Sequence, residues 1–347
     1  MRTSHGSIQG GGATWYNQGR SAAYQKRCRL PRRSSPQQLA ARPYDARVQT
    51  IEIHSAALGV AKRLFVYLPP DLPPGARAPS VYFLRGHERE WINPAEDQSR
   101  DGANVIDAYL RLRAAGRLGP LILVFPGLAS DDNTVPSVLV NMRAPQLANG
   151  APGIGSGRFA DYFFDELIPY VDAHFPTMGA GRARGLIGFS LGGFMAAKAA
   201  AERPDLFASA GAYDGTFLYA ADRGRRVRAA DSVIRNPMFD AAFGVPRDTR
   251  FIAHSSPANL IVRGDVAALA RVTWLIGYGP ERHEPWQANF YRGEHLVACL
   301  AARGLANALP HQQFGAGDHT WRTADTFAEL TLPLHEQALR AAALEQG

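Results

Sequence analysis

Short apolar runs ended by glycine alternate along this chain with segments of helical period. That alternation restricts the fold more than any other feature of the sequence. The stretches "PSVYFLRG" (79–86) and "PLILVFPG" (120–127) are continuously apolar, as strands buried on both faces are. "FASAGAYDG" (207–215) and "VTWLIGYGPE" (272–281) read as two more strands, and "VQTIEIHSAALGVAKRLFVYLPP" (48–70) as a pair around a turn at Leu58–Gly59. Between them, "ANVIDAYLRLRAAG" (103–116) places Val105, Ile106, Tyr109, Leu110 and Leu112 on one helical face. "RFADYFFDELIPYVDAHFP" (158–176) does the same with Phe163, Phe164, Leu167, Ile168 and Val171, and Pro169 inside it predicts a kink. A short strand at Leu186–Ile187 leads into an alanine-rich helix stopped by Pro204. A helix (293–304), a strand "HQQFGAGDH" (311–319) and a helix (324–339) close the chain. Strands alternating with helices imply an α/β fold with a mostly parallel central sheet and helices on both faces. In such sheets reactive groups gather beyond the carboxyl ends of the strands. That rule selects Arg85–Arg89, Gly188–Gly192 and Gly277–Glu284.

Charge divides the chain in two. The net charge is +7, yet residues 1–42 hold eight Lys or Arg and no Asp or Glu, which leaves about −1 for everything after them. Residues 1–45 are therefore expected to be a disordered basic tail and 46–347 a single domain. A nearly neutral domain gives no reason to expect nucleic acid as a partner. No apolar run has the length of a secretion signal or of the roughly 18-residue stretch that spans a membrane, so a cytoplasmic setting without membrane contact is expected. The two cysteines, Cys28 and Cys299, form neither a disulfide framework nor a metal site. No zinc-type ligand spacing occurs, and no cofactor is implied.

The sequence "GFSLG" (188–192) sets Ser190 between glycines, after an apolar strand and at the start of a helix. A strand–turn–helix of this kind holds a serine in strained backbone with its hydroxyl above the sheet. The flanking Gly188 and Gly192 lack the Cβ atoms that would obstruct so sharp a turn. A serine that merely caps a helix would not need them. A nucleophilic serine requires a base. Of ten histidines, His319 in "FGAGDHTW" follows the last expected strand and comes after the serine in the chain; His311 begins that strand and is the rival.

The stretches "VYLPPDL", "VYFLRG", "GRFADYFFDELIPYVDAHF", "GFSLGGFMA" and "GDHTW", from Val66 to Trp321, together resemble the esterase D-type family of the α/β-hydrolase superfamily. The resemblance implies an α/β-hydrolase fold, Ser190 as nucleophile and His319 as base. It implies a serine esterase that hydrolyses a carboxylic ester of a small molecule through an acyl-enzyme. An acyltransferase on the same triad and a non-catalytic binding member of the fold are the alternatives. The family's acid slot, three residues after Gly277, is occupied by Pro280 here. Glu281 comes first off that strand and is the favoured acid, with Glu284 and Asp214 as alternatives. The oxyanion donors expected by the same resemblance are the backbone N–H groups of Leu191 and His87. Arg85 stands where relatives often carry a histidine; an acidic loop and an anionic substrate are both open as its partner. Trp91 and Trp321 are candidates for lining a substrate pocket, although core packing would explain either. The long stretch 216–260 is expected to cap the site. Oligomeric state is left open by the sequence.

Overall fold

A computed structural model describes residues 45, 47–179, 182–218, 236–283, 289–314 and 318–344. The expected basic tail falls, apart from Asp45, outside these residues. Seven strands form one sheet: β1 (Val48–Ser55), β2 (Val60–Tyr67), β3 (Ser80–Leu84), β4 (Ile122–Pro126), β5 (Arg184–Phe189), β6 (Ser209–Tyr213) and β7 (Thr273–Gly277). Their spatial order is β1-β2-β4-β3-β5-β6-β7. The hairpin β1–β2 and the β2–β4 contact are antiparallel, and every later pairing is parallel. Strands β3, β4, β5 and β6 are buried along their whole length, which is why their sequences carry no alternation.

The helices are α1 (Val105–Ala114), α2 (Phe159–Asp161, a π segment Tyr162–Leu167, and Ile168–His174) and α3 (Leu191–Glu202). Then follow α4 (Asp240–Phe243), α5 (Thr249–Ser255), α6 (Pro257–Arg263), α7 (Val266–Ala270), α8 (Phe290–Ala302) and α9 (Trp321–Leu344). Helix α1 starts on a capping box: the Asn104 side chain accepts from the N–H of Ile106, and Asp107 reaches back to the N–H of Asn104. The kink expected at Pro169 takes the form of the π segment just before it, where wider hydrogen-bond spacing accommodates the missing proline donor. One apolar cluster packs α1 and α9 on one face of the sheet, and a second packs α2, α3 and the later helices on the other.

No strand forms among the described residues of the stretch expected to be one, 311–314 and 318–319. Residues 312–314 make only a local parallel bridge to Tyr278, and the segment is polar and glycine-rich rather than alternating. Among the described residues no helix is long and apolar enough to cross a membrane.

Helix α9 carries a fully buried His335 against the sheet, where its Nδ1 lies 2.7 Å from Ser209 Oγ. Gly211 makes room for it; a Cβ there would meet His335 Nε2 at 2.6 Å. Burial disfavours the imidazolium and pushes the pKa down to about 3. The unfolded chain binds this proton near pH 6.5, so His335 costs no stability above that pH. Stability is lost as pH falls from there toward 3, at about 1.4 kcal/mol per pH unit. Melting temperatures measured between pH 7.5 and 4.5 should fall on acidification, and a His335→Gln variant should show a shallower fall.

Candidate active site

The parallel register aligns the carboxyl ends of the central strands. Leu84 pairs with Gly188, Phe189 with Tyr213, and Tyr213 with Gly277. The residues that follow, Arg85, Ser190, Asp214 and Tyr278, therefore leave the sheet along one rim.

Ser190 has φ 57° and ψ −117°, a conformation that L-residues rarely adopt. It is clamped there: its N–H donates to Tyr213 O (3.1 Å), and its own carbonyl accepts from the N–H groups of Phe194 and Thr216 (3.2 Å each). Both flanking glycines are required by contact. A Cβ on Gly188 would collide with the carbonyl of Gly192, and one on Gly192 with the carbonyl of Leu84. Both obstacles are backbone atoms of packed elements. Gly192→Ala is accordingly expected to cost about 3 kcal/mol of stability, measurable by urea unfolding beside the parent.

His319 leaves the loop before α9 and lies between two other groups. Its Nε2 is 3.0 Å from Ser190 Oγ, and its Nδ1 is 2.6 Å from Asp214 Oδ2. The ring rests on Phe189 (centroids 4.6 Å apart), and the loop is tied down by Tyr213, whose hydroxyl donates to Asp318 O at 3.0 Å. His311 is not part of this arrangement.

The position of the carboxylate departs from the favoured expectation. Asp214, at the end of β6, is fully buried and has φ 45°. Its Oδ1 accepts from the N–H groups of Gly279 (3.0 Å) and Asn289 (2.7 Å), and the Asn289 side chain donates to its carbonyl (3.0 Å). The described residues of the loop after β7 thus reach the histidine's partner with the backbone amides of Gly279 and Asn289. Glu281 is exposed and accepts a hydrogen bond from the hydroxyl of Tyr291. It is not brought to His319. Glu284 lies outside the described residues. No motif marked Gly279 or Asn289 in the sequence: both act through main-chain N–H groups, to which Asn289 adds its side-chain amide.

Of the two expected oxyanion donors, Leu191 opens α3, where the first N–H groups have no partner within the helix. His87 is a correction. Its N–H donates to the buried carboxylate of Glu90 at 2.6 Å, while its ring Nδ1 accepts from the N–H of Arg89 at 3.2 Å. "HERE" (87–90) thus forms a turn with reciprocal capping bonds, and the amide is occupied. Burial and the charge of Arg89 push the His87 pKa down to about 3, so the ring is neutral. Burial, together with the charge of Glu90, also raises the carboxyl of Glu96.

Trp91 is a second correction. It is buried, donates Nε1–H to Leu84 O (3.0 Å), and packs edge-on against Phe83 and Trp321, so it belongs to the core and lines no opening. Trp321 is also buried and supports Phe189 edge-on at 5.1 Å. The opening beside Ser190 has other walls. A shallow apolar depression is lined by Val138, Leu191, Thr216, Leu218, Phe239 and Phe243 among others. Four of those belong to 216–260, of which 219–235 lie outside the described residues. Val138 and Leu139 both take positive φ (45° and 55°), unusual for bulky side chains, in a turn closed by Val140 N–H to Ser137 O (3.2 Å).

Comparison with known proteins gives the family and the fold. The family model described as "Putative esterase" matches residues 55–329, most of the chain. The chain belongs to that esterase family. Esterase Rv1288 of Mycobacterium tuberculosis is 26% identical over 252 residues, covering 64% of this chain and 53% of that protein. The chain thus spans about half the length of the curated relative it matches. Among solved structures, a ferulic acid esterase superimposes with a TM-score of 0.59 at 18% identity, over 84% of this chain and 98% of the other. A fluorophosphonate-binding serine hydrolase of Staphylococcus aureus gives 0.54 at 17% identity, over 87% and 99%. This esterase-family chain therefore shares the α/β-hydrolase fold that the sequence resemblance implied.

Proposed function

We propose that the protein is a serine esterase that cleaves a carboxylic ester through an acyl-enzyme. The observation that carries the reading is the unbroken series Asp214–His319–Ser190, with contacts of 2.6 and 3.0 Å. Asp214 holds the proton on Nδ1, which leaves Nε2 as the acceptor facing the serine. Ser190 Oγ attacks the ester carbonyl, and its proton passes to His319 Nε2. The negative charge that develops on the carbonyl oxygen is met by the Leu191 N–H and the positive end of α3. The imidazolium, stabilised by the buried Asp214 carboxylate, then gives the proton to the departing alkoxide, and an alcohol leaves. Water repeats the sequence on the acyl-serine, releasing the acid and restoring Ser190.

The apolar depression next to Leu191 and Thr216 suits a hydrocarbon portion of the substrate, and the described part of 216–260 acts as its cap. Asp214 supplies the carboxylate whose absence from the usual slot motivated the binding-only alternative. The test pairs turnover with labelling. The purified chain should hydrolyse p-nitrophenyl butyrate and take up one fluorophosphonate per molecule, with loss of turnover in proportion to labelling. A chain that does neither is not a serine esterase.

A further inference from the structure

Four buried or half-buried basic side chains, Lys62, Arg85, Arg89 and Arg100, differ in what they hold. Lys62 is spent on Ala129 O (2.8 Å) and Asp131 (2.7 Å). Arg100 grips both oxygens of Asp325 at 2.8 Å and the carbonyls of Glu90, Trp91 and Asn93. Arg89 is folded onto the ring of His87. Arg85 is different. It forms an ion pair with the acidic loop, Nε standing 3.6 Å from a carboxylate oxygen of Glu90, but that distance is beyond a hydrogen bond, and the buried Nε has no hydrogen-bond partner among the described residues. Glu90 is meanwhile fastened to the His87 N–H through its other oxygen. Among the described residues the guanidinium of Arg85 makes no hydrogen bond.

Its position is well defined all the same. The guanidinium carbon stands 5.6 Å over the ring of Phe189 and 5.8 Å over that of Trp321. Phe189 directly precedes Ser190 and is the ring on which His319 rests. The cation and the imidazole thus share one aromatic platform at the nucleophile. The Arg85 side chain keeps 19% of its surface open, enough for its terminal nitrogens to meet a ligand. An arginine fork with unused donors, partly desolvated and backed by aromatic faces, is complementary to a carboxylate in its own plane. Buried polar groups without partners are rare enough to require a reason.

We propose that Arg85 is the specificity residue of the site, and that the esters this protein prefers carry a carboxylate near the scissile carbonyl. The inference rests on the esterase reading and adds the substrate class to it. The carboxylate could belong to the acyl half or to the alcohol half, so both are tested. One matched pair is methyl hydrogen adipate against methyl hexanoate; the other is meta-carboxyphenyl acetate against phenyl acetate. In at least one pair the parent should favour the anionic ester by about 10- to 100-fold in kcat/KM, the range a charge-assisted hydrogen bond supplies. Added salt should reduce that ratio. Arg85→Met should bring it toward one, and Arg85→Lys should restore part of it, as a point charge without the planar fork would. Fluorophosphonate labelling of Ser190 in both variants would show that they are folded. Turnover of the neutral esters without preference in either pair would overturn the inference and leave the esterase reading intact. So would an unchanged ratio in Arg85→Met. A parent that neither labels nor hydrolyses any of the four esters would remove the esterase reading, and the inference with it.

Discussion

Replacing Ser190 with alanine is expected to lower kcat/KM for p-nitrophenyl butyrate by about 10⁴- to 10⁶-fold, the loss found when a triad nucleophile is removed. Folding stability should change by less than about 1 kcal/mol. The contrast follows from where the hydroxyl sits. Ser190 is held by main-chain bonds to Tyr213, Phe194 and Thr216 and not by its side chain. Among the described residues its Oγ makes one hydrogen bond, with His319 Nε2. Alanine keeps the packing and loses the hydroxyl proposed to attack. A residual rate above water would come from the Leu191 N–H and from substrate binding alone. A variant that retained a tenth of parental activity would mean that another group carries the reaction.

The second large effect separates two carboxylates. Asp214→Asn should reduce kcat/KM by about 10³- to 10⁴-fold, whereas Glu281→Gln should stay within about twofold of the parent. Asparagine fits the same space and can still accept from Gly279 and Asn289 through its oxygen. Its amide, however, donates toward His319 Nδ1. The imidazole then carries its proton on Nε2, facing Ser190, where it has no free lone pair to act as a base. Glu281 is exposed, with a hydroxyl of Tyr291 for company, and no step of the reaction passes through it. Circular dichroism of both variants would exclude unfolding as the cause. Equal activity of Asp214→Asn and the parent would reopen the assignment of the acid.

The difference between those two residues also shows where the sequence could be read and where it could not. The strands, their parallel order and the elbow at Ser190 follow from local patterns: apolar runs, glycine punctuation and helical period. Two of the positions that sequence reasoning weighed, Ser190 and His319, do meet at one rim. The carboxylate brought to His319 is the alternative Asp214 and not the favoured Glu281, which a count along the loop after β7 puts first. Which loop carries the carboxylate is a property of neighbouring strand ends in register, Tyr213 beside Gly277, and that is invisible in a linear count. His87 failed for a related reason. A backbone donor is available only if nothing nearby accepts from it, and Glu90, three residues on, closes a turn around it. Arg85 was legible as an oddity, but its ion pair with Glu90 and its lack of a hydrogen bond depend on how the loop after β3 folds back on it.

The most direct test of the account is to catch the acyl group in place. Acid quench during turnover of p-nitrophenyl acetate, followed by digestion and mass spectrometry, should find one acetyl group on the peptide bearing Ser190 and none on any other. An active enzyme that carried the acetyl elsewhere, or hydrolysed the ester without ever carrying it, would contradict the relay through Asp214, His319 and Ser190.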